Sequence, residues 1–173
     1  MVSDKPMIGI LMGSDSDFDF VASCTKVLNS FDIPYEVHVI SAHRDTESCL
    51  QYAKEASDKG IRILITFAGM AAHLGGVVSA NTTLPVIGVP LNRTGLGGMD
   101  ALLSTVQMPP GIPVATVAID GSANAAHLAI RILALQDSEI QKKLVTFQVN
   151  LKSEMKKKSV QVQERIKNEL SNH

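Results

Sequence analysis

Residues 7–12 (MIGILM) form an unbroken apolar run that stops at the polar turn Gly13-Ser14-Asp15-Ser16-Asp17. A run this short, closed by turn and capping residues, predicts a strand buried on both faces, and such strands belong to parallel sheets covered by helices on either side. From Ser16 the spacing of Phe20, Val21, Cys24, Val27, Leu28 and Phe31 is helical, and Ile33-Pro34 stops it. One strand and one helix thus occupy the first thirty-odd positions and make the first βα unit.

The same alternation continues along the chain. Strands are predicted over residues 35–40, 61–67, 85–89 and 114–119. Helices are predicted from about Asp45 to a C-terminal glycine at Gly60, within 69–80 after a glycine-containing turn, over 99–106 and over 123–135. Strands that alternate with helices imply right-handed crossovers. The expected architecture is α/β: a three-layer sandwich on a five-stranded parallel sheet, flavodoxin-like or Rossmann-like. With aromatic residues scarce and tryptophan absent, its core must be aliphatic.

After Gln136 the pattern changes. Ile140, Leu144, Phe147, Leu151 and Met155 recur at spacings of three or four, and half of all lysines and arginines fall in residues 138–173. This predicts a long amphipathic helix with a basic outer face. The domain organisation read from these patterns is an α/β catalytic domain over 1–137 and a helical extension over 138–173 that packs on neighbouring subunits.

Composition excludes several classes. A formal charge of −1 offers no long-range attraction for nucleic acid or an anionic membrane, so neither is expected as a partner. The N-terminus lacks a signal pattern and no apolar run reaches the roughly 18 to 20 residues of a membrane span, so a cytoplasmic location is expected. Cys24 and Cys49 lack metal-ligand or disulfide-framework spacing and are expected as buried thiols.

Chemistry is expected where the loops leave the carboxyl ends of the strands. The first loop has neither a dinucleotide fingerprint nor a nucleoside-triphosphate loop. Ser14 and Ser16 could hold one phosphate or simply cap the next helix, and Asp17 suits ribose hydroxyls better than phosphate. The second loop, Ser41-Ala42-His43-Arg44, joins a guanidinium suited to phosphate with an imidazole able to exchange protons near neutrality. The third carries His73 among Ala71, Ala72, Leu74 and glycines, a small apolar pocket with no carboxylate at metal-ligand spacing. His38 and His127 lie inside a predicted strand and helix and are expected in core or interface positions; His173 is terminal.

The ordered set GSDSD, SAHR, AGMAAHLGG, PVIGVP and VQMPPGIPVAT, spread over residues 13–116, resembles the PurE family of purine biosynthesis, whose two branches are carboxyaminoimidazole ribonucleotide mutases and aminoimidazole ribonucleotide carboxylases. The resemblance covers most of residues 7–137. It implies a small ribonucleotide substrate, no metal or other cofactor, and a homo-octamer with active sites near subunit interfaces. It also implies that Ser14, Asp17, Ser41 and Arg44 bind the substrate, that Gly69, Ala71, Ala72, His73 and Leu74 form the loop over the imidazole, and that His43 is the general acid and base.

The pairing of AHR with AAHLGG is similar to the mutase branch, which converts N5-carboxyaminoimidazole ribonucleotide to 4-carboxy-5-aminoimidazole ribonucleotide by decarboxylation and recarboxylation without ATP. Direct carboxylation of aminoimidazole ribonucleotide by CO2 is the alternative, and a non-catalytic nucleotide-binding module is the reading from a different class. Four features depart from the family pattern. Met70 and Gly75 stand where it has glycine and proline, Asn92-Arg93 where Gln-Ser is common, and the loop at 120–122 is about two residues shorter.

Overall fold

The strand β1 (Ile8–Met12) is buried along its whole length, as its apolar run requires. A computed structural model describes residues 5–171; residues 1–4 and 172–173, His173 among them, lie outside the described residues. After β1 come a short 3-10 turn (Asp15–Asp17), α1 (Phe18–Ser30), β2 (Tyr35–Val39), α2 (Thr46–Glu55), β3 (Ile63–Gly69), α3 (Leu74–Ser79), β4 (Val86–Leu91), α4 (Met99–Val106), β5 (Ala115–Thr116), α5 (Ser122–Ala134) and α6 (Ser138–Ser171).

The five strands pair in the order β2-β1-β3-β4-β5, all parallel, with helices on both faces. This is the three-layer architecture expected from the alternating pattern. Met12 is in register with Val39 on one side and Phe67 on the other, so β1, β2 and β3 end at nearly one level. Strand order reverses between β1 and β3, the switch point where loops diverge and leave a crevice.

The core is aliphatic: Ile8, Ile10, Leu11, Ile63, Leu64, Ile65 and Ile87 are fully buried, with Phe67 the largest side chain among them. Each such side chain contributes about 1.5–3 kcal/mol relative to exposure. Cys24 and Cys49 are buried free thiols, and burial pushes the Cys24 thiol up to about 12. His38, on the edge strand, has its ring 5.0 Å from that of Tyr52 and its Nε2 3.2 Å from Glu36 Oε1. His127 is partly buried with its ring edge-on to Phe31 at 5.9 Å.

Among the boundaries that differ from the sequence expectation, two do so for a visible reason. Regular helix α2 stops at Glu55, but the chain closes with Gly60 N–H donating to Ser57 O and Ile61 N–H to Ala56 O. That paired C-terminal closure needs a left-handed residue, supplied by Gly60 at φ +95°. The second is β5, which has two residues where six were expected. Val117 N–H donates to Gly88 O, and the next donor on β4 would be Pro90, which has no N–H. The ladder ends there, and Pro90 O accepts instead from Asp120 N–H at 2.9 Å.

The chain divides into two units between Ile132 and Leu133. In the second, α6 runs for 34 residues. Of its expected apolar stripe Ile140 and Leu144 are buried, whereas Leu151 and Met155 are exposed. Its outer face carries ion pairs one turn apart, Lys142 with Glu139 and Arg165 with Glu169. Among the described residues no helix is long and apolar enough to cross a membrane.

Candidate active site

The loops after β1, β2, β3 and β4 surround one cavity of about 550 Å³ at the carboxyl edge of the sheet. That is ample for a mononucleotide, since pockets for small ligands run from about 300 to 1,000 Å³. The walls differ in chemistry. Ala42, Ala68, Ala71 and Leu74 give an apolar lining, while Arg44, Arg93 and Asp17 contribute two guanidiniums and one carboxylate.

The second loop is built around Arg44. Strand β2 ends and residues 42–44 turn, with Asp45 capping α2 by accepting from Ser48 N–H at 3.1 Å; hydrogen bonding from the Ser48 side chain, then from its backbone, holds the Asp45 carboxyl below its ordinary value. Ser41 Oγ accepts from Arg44 N–H at 3.2 Å and from its Nε at 3.4 Å, and Nη2 donates to Gly13 O at 2.7 Å. The guanidinium is thereby fixed between two loops, and its Nη1 has no partner among the described residues.

His43 faces the third loop: its Nε2 lies 2.8 Å from Nδ1 of His73, the two rings 84° apart. His73 begins α3 without capping it through its side chain, so the imidazole is free to reach across. Gly75, in the first turn of α3, is buried, and a Cβ there would sit 3.0 Å from Thr66 Oγ1. At this position the missing side chain lets α3 lie close on β3.

In the first loop Ser14 caps the turn, accepting from Ser16 N–H at 3.4 Å and from Ser16 Oγ at 3.0 Å. Asp17 is 5% exposed, and a buried carboxylate needs a partner. Arg93 supplies it: Nε donates to Asp17 Oδ1 at 2.9 Å and Nη2 to the same oxygen at 2.5 Å. Nη2 also reaches Ser16 O, and the guanidinium lies over the Phe20 ring at 4.9 Å.

The cavity thus brings together Ser14, Asp17, Ser41, His43, Arg44, Gly69, Ala71, His73 and Leu74. Ala72 is the exception: it is 1% exposed and belongs to the core, because the chain turning into α3 points it inward. Ser16, which the sequence offered as either a phosphate contact or a helix cap, also lines the cavity, and so do Arg93 and Met70, which sequence reasoning did not assign to it. The signal for Arg93 was present, a long cation after a strand, but its partner Asp17 is 76 positions away. Met70, at φ +58° and 59% exposed, stands at the rim. Among the described residues no group of three or more His, Cys, Asp or Glu is gathered to hold a metal ion.

Comparison with known proteins gives a consistent picture. Residues 7–154 match the family described as AIR carboxylase. The chain is 50% identical over 155 residues to a protein named N5-carboxyaminoimidazole ribonucleotide mutase from Pyrococcus horikoshii, covering 90% of this chain and 88% of that one. A protein of the same name from Pyrococcus abyssi is 52% identical over 147 residues, covering 85% and 84% respectively. Among solved structures, Treponema denticola PurE superimposes with a TM-score of 0.80 at 31% identity, covering 87% of this chain and 94% of that one.

Proposed function

The chain belongs to the AIR carboxylase family, and from that premise we propose that it carries out the reaction for which its curated relatives are named. That reaction moves a carboxylate from the exocyclic nitrogen of N5-carboxyaminoimidazole ribonucleotide to ring carbon four, an isomerisation in purine biosynthesis. The observation that carries the reading is the position of His43, paired with His73 and adjacent in the chain to a fixed guanidinium, on the rim of a cavity with an apolar wall.

Arg44 binds the phosphate through Nη1, with Ser14 beside it, and Asp17 takes a ribose hydroxyl. This sets the imidazole ring against Ala71 and Leu74. The bond between nitrogen and the carboxyl carbon breaks, CO2 departs, and His43 delivers a proton to that nitrogen. Ring carbon four, electron-rich from the amino group, then attacks CO2; the new carbon–carbon bond forms and His43 takes the proton released from that carbon. One imidazole serves both transfers, since the ring donates a proton in one step and accepts one in the other. An uncharged gas held beside its acceptor reacts at a high effective concentration.

Following ring carboxylation by NMR with each substrate supplied separately tests this. Rapid conversion of the N5-carboxylated nucleotide without bicarbonate is expected. Turnover only of the uncarboxylated nucleotide with CO2 would sink the mutase reading in favour of direct carboxylation.

The working form is proposed to be a cytoplasmic homo-octamer in which α6 packs on neighbouring subunits, its exposed Leu151 and Met155 supplying apolar contact. Substituting both by glutamate is expected to lower the mass in solution; an unchanged mass would refute that role for α6.

A further inference from the structure

We infer that Arg93 is a positioning residue for the ligand: it clamps Asp17 by one carboxylate oxygen and cancels its charge, leaving the other oxygen for a sugar hydroxyl beside an anionic group. The inference rests on the proposed phosphate–ribose reading of the cavity and adds a residue to it.

The geometry is one-sided. Both Nε and Nη2 of Arg93 go to Oδ1 of Asp17, at 2.9 and 2.5 Å, and Oδ2 has no partner among the described residues. A carboxylate held this way has one oxygen saturated and one left to accept. Charge makes the same case. Asp17 lines the cavity that Arg44 lines, and alone it would repel any phosphate that Arg44 attracts. Paired with Arg93 it is neutral toward anions and keeps its acceptor for hydroxyls.

Arg93 is aimed by its surroundings. Asp120 Oδ1 accepts from Asn92 N–H at 2.9 Å, and Asp120 itself adopts φ +56° while donating its N–H to Pro90 O. The segment leading into Arg93 is thus pinned to Asp120 at Pro90 and at Asn92. The aliphatic stem lies on the backbone of Gly69, where a Cβ would come within 2.5 Å of Arg93 Cγ, and the guanidinium plane is covered by Phe20. Two of the four features that depart from the family pattern, Asn92-Arg93 and the shorter loop at 120–122, therefore form one connected support for Asp17.

Titration calorimetry of the full-length protein with inorganic phosphate and with ribose 5-phosphate tests the inference. Arg93→Met is expected to weaken both ligands, inorganic phosphate about tenfold, because Asp17 is left as an uncompensated charge. In the double variant Asp17→Asn with Arg93→Met, phosphate affinity is expected to return to within about twofold of the parent while the gain from the sugar stays lost. Arg93→Lys retains the charge and keeps phosphate affinity, which separates the role from a fold defect. Ribose 5-phosphate binding unchanged in Arg93→Met would overturn the inference, as would a double variant that binds phosphate no better than the single one. A parent protein that binds neither ligand would overturn the reading of the cavity itself, and this inference with it.

Discussion

His43 Nε2 and His73 Nδ1 share a 2.8 Å hydrogen bond across the mouth of the cavity, between residues 30 positions apart. An N–H···N bond requires one ring to donate and the other to accept, so a single proton lies between the two facing nitrogens. The pair fixes the orientation of His43 and ties the loop after β2 to the loop after β3.

If His43 is the group that delivers and recovers the proton, removing its basicity should stop the chemistry without emptying the site. His43→Asn keeps a polar group of similar reach, and its kcat is expected to fall by about 10² to 10⁴, the usual worth of a positioned acid–base group. Binding of ribose 5-phosphate by calorimetry should stay within a few-fold of the parent. Substantial residual turnover would refute the assignment.

Arg44 makes the opposite case, since its contacts serve binding more than proton transfer. Loss of its charge-assisted bonds in Arg44→Ala is expected to cost about 1.5–3 kcal/mol, which is roughly 10- to 150-fold in affinity for inorganic phosphate. Ser41→Ala should cost less, because Gly13 O still holds Nη2. An unchanged phosphate affinity in Arg44→Ala would mean that the anion binds elsewhere.

Legibility in the sequence followed the range of the interactions. The strand β1 and the helix after it could be read because apolar periodicity and capping residues are local, and the site edge followed from where the polar turns fall relative to the strands. What escaped was set by distant partners. The contraction of β5 comes from the missing N–H of Pro90 on the neighbouring strand. The Asp17–Arg93 and His43–His73 pairs join loops that only the sheet order brings together. Ala72 was assigned to the cavity from its neighbours in the motif, and only the turn into α3 decides which alanine faces inward.

Met70 holds a left-handed backbone, φ +58°, with its side chain 59% exposed at the cavity rim. That conformation costs a non-glycine residue about 1–2 kcal/mol, while glycine gives back about 0.5–1 kcal/mol in chain entropy. Met70→Gly is therefore expected to stabilise the fold by about 0.5–1 kcal/mol, a rise in Tm of a few degrees. A lower Tm in differential scanning calorimetry would show that the methionine contributes packing that outweighs its strain.

His127 provides a test of pH linkage away from the site. Its ring packs edge-on against buried Phe31, and burial, followed by the charge of Arg131 one turn along α5, pushes its pKa below the ordinary value of 6.5. The folded state therefore resists protonation that the unfolded chain accepts. Well above pH 6.5 neither state is protonated at this ring and no penalty arises. As pH falls below 6.5 toward the lower folded pKa, the unfolded chain binds more protons and stability drops. His127→Gln should track the parent above pH 7 apart from a constant offset and lose less stability between pH 7 and 5.5. Urea unfolding at both pH values measures this difference directly, and parallel losses in parent and variant would refute the linkage.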